Sequence, residues 1–320
     1  MLVFLNFLNR NLSHFRAQTV ITVNCNLPKI TYPTLRSLLL LKIYEAISLR
    51  KDVQVANQSI ENSDFQKNRE IIKLLAPRPA LKRVKSATSV VAYASTIALQ
   101  LGARSSSTPA EIADKIIHFL RHSPSNLSDE ETENQLLRDL TVTYLEPGRL
   151  VFEFGDRAIA KYLQEILSHC TDETNRASDR SFLRLKRESS GDSKIFLCQY
   201  SYARCTALIE MASRSNHIDK SVENDSAKWL NESKFLLQKE SELLSQIIAT
   251  LDEWEETNPL TLAISLSEAF QTFYQNCQIV KYDTIHLQVA QCRLALVMIT
   301  HWLLKQLLEQ GLGVVAPETL

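Results

Sequence analysis

The chain has 320 residues, 45% of them hydrophobic, with 36 basic and 36 acidic side chains and no formal net charge. That length and apolar fraction exclude a wholly disordered chain and allow two domains, each with its own core. Residues 195–320 carry 9 Lys and Arg against 15 Asp and Glu, so a basic footprint for a polyanion would have to lie in the N-terminal part.

Residues 1–30 show no pattern and are read as an extension. Met1–Leu8 is apolar but lacks a basic n-region and a small-residue cleavage site, so no signal peptide is expected. Thr34 to Leu49, after Pro33, has the spacing of an amphipathic helix, with Leu38, Leu41 and Ile47 on its apolar positions. Residues 50–88 are polar, with basic residues from Lys67 to Lys85, and read as loop with a short helix. Val90 to Leu101 reads as a helix. Thr108-Pro109-Ala110-Glu111 is a helix start: a capping Thr, Pro at the first helical position, and Glu three residues beyond the cap. The stripe Ile112, Ile116, Phe119, Leu120 continues it. Leu140 to Tyr144 alternates as a strand, Glu146-Pro147-Gly148 is a turn, and Leu150, Phe152 and Phe154 alternate again. Asp156 is placed to cap a helix ending near Ser168. Together, 31–168 is expected to be an α+β domain.

Residues 169–194 are rich in Ser, Arg and Asp and read as a linker, spanning about 25–30 Å if flexible. Its basic run, Arg176, Arg180, Arg184, Lys186 and Arg187, fits a solvated linker or a phosphate contact. From 195 onward the pattern is helical throughout. Phe196, Tyr200, Ala203, Ala207 and Met211 form one stripe, and Trp229 to Trp254 holds one long helix or two. Asn258-Pro259 is a cap followed by Pro at the first helical position, with Leu262, Leu266, Phe270, Phe273 and Cys277 on one face after it. A last helix runs from about Thr284 to Gln310 and stops at Gly311. The fold class is therefore an α+β domain followed by an all-α bundle over 195–320.

The chemistry of sites is sparse. Six scattered glycines speak against a phosphate-cradling nucleotide fold. The cysteines, at 25, 170, 198, 205, 277 and 292, have no C-x-x-C pair and no zinc-like spacing to histidine, and read as buried thiols. There is no nucleophile elbow and no carboxylate pair with local support; Glu253, Glu255 and Glu256 read as the wet end of a helix. No catalytic residue, metal or cofactor is expected. The apolar run Leu294 to Val315 is interrupted by His301, Lys305, Gln306, Glu309 and Gln310, which predicts no membrane span. A soluble, cytoplasmic protein is expected.

Four motifs in order carry a resemblance. They are Gln199-Tyr200-Ser201-Tyr202-Ala203-Arg204, Asn258-Pro259-Leu260 through Phe273-Tyr274, Gln291-Cys292-Arg293-Leu294-Ala295-Leu296, and the tail Gly311-Leu312-Gly313 to Pro317-Glu318-Thr319-Leu320. This segment resembles the DALR-type anticodon-binding domain that ends arginyl-tRNA synthetases. The stretches Val91 to Leu101, Pro109 to Ile116 and Pro147 to Phe152 resemble that family's additional N-terminal domain. The family's catalytic ATP-binding domain lies between these parts; its HIGH-type and KMSK-type motifs are not found here.

The resemblance implies a non-catalytic module that binds tRNA, an arginine tRNA first of all, through its C-terminal domain, and that does not act as an arginine–tRNA ligase. The alternative is a protein-interaction scaffold that docks on a full-length synthetase and no longer binds RNA. Tyr200 and Tyr274 are candidates for stacking on splayed anticodon bases, or are core aromatics. Arg204 lies one helical turn from Tyr200 and either touches RNA or holds the helix to a neighbour through a buried ion pair. Leu320 stands where the family has its terminal Met, and Thr319 replaces an arginine. Arg149 and Val151 stand where the family reads the tRNA D-loop; Val151 cannot hydrogen-bond, while Arg149 is left for phosphate contact.

Overall fold

The computed structural model describes residues 34–40, 42–43, 46–47, 81–87, 89–103, 107–122, 136–176, 193–214, 238–254, 256–279 and 287–320. The expectations for residues 1–30, Cys25, Leu41, Arg180 to Arg187, Trp229 and Thr284 lie outside them. Helix α1 takes in residues 35–40, 42–43 and 46–47, with Leu35, Leu38, Leu39, Ile43 and Ile47 buried. There follow β1 (Lys82–Val84), β2 (Val91–Ser95), α2 (Ile97–Gly102), α3 (Pro109–His122), β3 (Leu140–Leu145), β4 (Arg149–Phe154) and α4 (Asp156–Arg176). Then come α5 (Ser193–Arg214), α6 (Gln238–Asp252), α7 (Pro259–Asn276), α8 (Leu287–Gln306) and a π-helical turn, Leu307–Gly311.

The four strands form an antiparallel sheet in the order β1-β2-β4-β3, with Tyr93 paired to Phe152 and Phe152 to Val142. Two expectations fail here. Val90 to Leu101 is not one helix: β2 occupies Val91–Ser95, and only Ile97–Gly102 is helical. β2 is central, with all five residues buried, so it reads as a continuous apolar run, and periodicity cannot tell such a run from a buried helix. β1, inside the segment read as loop, is an edge strand of three residues, too short to show alternation.

The hairpin β3–β4 and its turn form as the alternation predicts. Gly148 there has φ +145°, and a Cβ on it would stand 2.8 Å from the Cβ of Leu99, so both the backbone angle and the packing on α2 require glycine. The α3 start is a reciprocal capping box: the Thr108 amide donates to Glu111 Oε2 at 3.1 Å and the Glu111 amide to Thr108 Oγ1 at 3.3 Å. Helix α4 goes beyond expectation at both ends. Its first amides, of Arg157 and Ala158, donate to the carboxylate of Asp139 at 3.0 and 3.3 Å, so a residue distant in sequence caps this start. Its last turns run on to Arg176 with Cys170 buried, through residues read as linker.

The C-terminal helices pack around Leu243, Leu244, Ile247, Leu262, Leu266, Phe270, Phe273, Leu303 and Leu307, all buried. Asn258 caps α7, its side chain accepting from the Leu260 amide at 2.8 Å. One charged pair lies inside. Arg293 Nε donates to Glu240 Oε1 at 2.5 Å and its guanidinium to the Gln278 carbonyl at 2.6 Å, joining α6, the end of α7 and α8.

The α+β part meets the bundle along α6. Tyr93 of β2 donates its hydroxyl to Asp252 Oδ2 at 2.5 Å, and the Arg36 amide of α1 donates to Asp252 Oδ1 at 3.4 Å. Arg83 of β1 donates to the Ser245 carbonyl and hydroxyl at 2.5 and 2.9 Å, and Arg36 pairs with Glu256 at 2.8 Å. Helix α4 packs on α8. Burial pushes the Asp252 carboxyl above its usual range, opposed by the Tyr93 hydroxyl and nearby Arg83. Burial, with Asp252 next in weight, pushes the Tyr93 phenol up as well.

Candidate nucleic-acid interface

Helix α5 carries apolar residues on more than one side, so spacing alone does not decide which side is buried. The bundle takes Cys198, Ser201, Tyr202, Cys205, Leu208 and Ala212. The stripe picked out by period, Phe196, Tyr200, Ala207 and Met211, faces outward, and only Ala203 of that series is buried. The inward face is narrow and polar-tolerant because its groups find partners. Gln271 Nε2 donates to Ser201 Oγ at 2.9 Å. The Tyr202 ring stacks on His301 of α8, with centroids 4.4 Å apart. His301 Nε2 lies 3.1 Å from Thr206 Oγ1. Burial first, and Lys305 second, hold the His301 imidazole down to about 4, so the ring is neutral. Tyr202 is thus an interior residue, its phenol pushed up to about 12 by burial above all.

On the outer side, Tyr200 is 40% exposed, and its ring lies near-parallel to that of Phe196, at 24° with centroids 6.4 Å apart. One turn on, Arg204 crosses to α7. Its guanidinium donates to the Tyr274 hydroxyl and lies over the Tyr274 ring, 4.7 Å from the centroid. Tyr274 in turn stacks at 23° on buried Phe270. Arg204 therefore does hold α5 to its neighbour, but through a phenol and a cation–π contact rather than the ion pair expected. Its Nε is buried without a hydrogen-bond partner among the described residues, so the protein does not satisfy all of its donors.

Gln199, beside Tyr200, donates to the Val315 carbonyl at 2.9 Å and lays the C-terminal tail along the first turns of α5. Leu320, at the tail's end, is 64% exposed. Arg149 is exposed at the start of β4. The structure thus brings Tyr200, Arg204 and Tyr274 together, places the tail of Leu320 against the same helix, and puts Arg149 on the sheet.

Sequence reasoning missed three residues of this surface and its frame: Phe196 as the ring partner of Tyr200, Gln199 as the tail's anchor, and Asp252 as the joint to the sheet. The signal for the first was its place four residues before Tyr200; the joint left none, since its partners are about 160 residues or more apart in sequence. Of the described cysteines, Cys170, Cys198, Cys205 and Cys277 are buried and Cys292 is partly so. Among the described residues no group of three or more His, Cys, Asp or Glu is placed to hold a metal ion, and no helix is long and apolar enough to cross a membrane.

Comparison with known proteins falls on the same helices. Residues 198–320 match the family model of the DALR anticodon binding domain. The arginine–tRNA ligase of Chlorobaculum tepidum is 28% identical over 144 residues, which is 43% of this chain and 25% of that protein. The chain thus spans about a quarter of the length of the curated relative it matches. No solved structure matches it significantly. The chain is thus similar to an arginine–tRNA ligase, and its residues 198–320 to the DALR anticodon binding domain.

Proposed function

We propose that this arginyl-tRNA-synthetase-like chain is a non-catalytic, cytoplasmic tRNA-binding module that takes the anticodon arm of an arginine tRNA on its C-terminal domain, 195–320. The α+β domain, 31–168, then lies toward the tRNA elbow with Arg149 as a phosphate contact. The observation that carries the reading is the contiguous Tyr200–Arg204–Tyr274 surface inside the DALR match. An exposed tyrosine beside a guanidinium suits an unstacked base and its phosphate, because every base offers a π-face and Arg adds charge. The non-catalytic part of the reading is supported by the lack of HIGH-type and KMSK-type motifs in these 320 residues. Arginine transfer by the pure protein would overturn that part alone.

Filter binding or gel shift with tRNA tests the rest. Salt-sensitive binding at micromolar protein is expected; no binding there sinks the reading. A second reading, a scaffold that docks on a full-length synthetase, draws on one observation: residues 195–320 are acidic, with 9 basic and 15 acidic side chains. Pull-down from extract separates the two. RNase-sensitive recovery of tRNA supports the first, and RNase-resistant recovery of synthetase supports the second.

A further inference from the structure

Phe196 is 47% exposed, although it lies on a helix whose opposite side is well packed. A lone exposed apolar residue needs no explanation. Here two rings are exposed together, one helical turn apart and within 24° of parallel. The helix fixes them: Gln199, between the two, is bonded to Val315 in the tail, and Ser201 and Tyr202, just beyond, are bonded and stacked inside the bundle. Beyond Tyr200 the same side carries the exposed Ala207, too small to cover the rings, and Arg204 reaching to Tyr274.

We infer that Phe196 and Tyr200 form a two-ring platform for successive unstacked nucleobases, with Phe196 as a second stacking residue. The inference rests on the tRNA-binding reading above and extends it to a residue outside the motif that suggested it. The chemistry favours a base over a partner helix. A helix seeks a run of aliphatic ridges in a groove. This surface instead offers two aligned rings, the exposed Ala207 and a cation, which suits flat π-faces joined by phosphates. Aromatic side chains on a rigid element also lose little freedom on binding.

The test is titration of the full chain with an anticodon stem-loop RNA carrying 2-aminopurine in its loop, whose fluorescence falls when the base stacks. Phe196→Ala is expected to weaken binding about 5- to 100-fold and to reduce the quenching. Phe196→Leu, which keeps apolar bulk without a ring, should behave like the alanine variant, and Phe196→Trp should restore both signals. Thermal melts followed by circular dichroism should match wild type in all three, since the side chain lies outside the core. If Phe196→Ala binds as wild type while Tyr200→Ala is weakened, the platform is wrong and the tRNA-binding reading stands. If Phe196→Leu binds as wild type, the contact is apolar bulk and stacking is wrong. If wild type does not bind the RNA, both fail together. Loss of RNase-resistant protein capture in Phe196→Ala, with RNA binding unchanged, would make this a protein-docking surface and overturn the inference.

Discussion

At the end of α6 a half-buried carboxylate is held by groups of the chain, while on the outer side of α5 two aromatic rings are left in water. Asp252 is enclosed by groups from three other elements or turns: the Tyr93 hydroxyl, the Arg36 amide and the charge of Arg83. Phe196 and Tyr200, by contrast, pack mainly on each other and remain 47% and 40% exposed. The difference lies in what satisfies the group. The polar joint is satisfied within the chain, so it fixes how sheet and bundle meet. The exposed rings are not, so they are available to a ligand.

Mutations should separate the two. The largest effect is expected at the joint. Asp252→Ala leaves the Tyr93 hydroxyl buried without its acceptor and should cost about 3 kcal/mol, read by denaturant melts, while Asp252→Asn, which keeps an acceptor, should cost less. RNA affinity of the Asp252→Ala protein, measured where it is still folded, should change less than for a ring substitution.

Next is a pH effect just beneath the aromatic surface. Burial, then Lys305, lowers the His301 imidazole from its unfolded value of 6.5 to about 4. Below about 6.5 the unfolded chain binds a proton that the folded ring refuses. The contribution is therefore fully present above that pH and is lost as pH falls toward about 4, by up to about 3 kcal/mol. His301→Phe, which keeps a ring against Tyr202, should flatten stability between pH 7 and 4.5 relative to wild type. An unchanged slope would remove His301 as its source.

At the rings the expectation reverses. Tyr200→Ala should leave stability within about 0.5 kcal/mol of wild type, yet weaken RNA binding about 5- to 150-fold, the range expected for one stacked base. Equal loss of stability and binding would place Tyr200 with the joint rather than with the ligand. The smallest effect is at Arg149. Arg149→Ala should weaken binding slightly for every RNA tested and reduce the salt slope by about 1; an unchanged slope would detach the sheet from the interface.

What the sequence revealed follows the range of the interactions involved. Local signals were legible: the Thr108–Glu111 box, the Asn258 cap and the α7 stripe all form as their spacing indicates. The helical class of the C-terminal part and its motif resemblance were legible too, because four motifs in fixed order leave little freedom. β2 was misread since a central strand has no polar side to set a period. The α5 stripe was found, but its direction was not, because burial is decided by Gln271, His301 and the tail, which are distant in sequence. Of the candidate residues, Arg204 was legible as a tie to a neighbouring helix, but the partner, Tyr274, is 70 residues away. The Asp252 joint, formed across 159 residues to Tyr93, left no local trace at all.

The ligand-facing role of α5 is tested most directly by ultraviolet crosslinking of the full chain to tRNA, with the crosslinked peptides identified by mass spectrometry. Crosslinks are expected at Phe196, Tyr200 or Tyr274, in peptides from α5 and α7, and should disappear in the Phe196→Ala, Tyr200→Ala double variant. Crosslinks confined to peptides outside α5 and α7, or unchanged in that variant, would contradict that role.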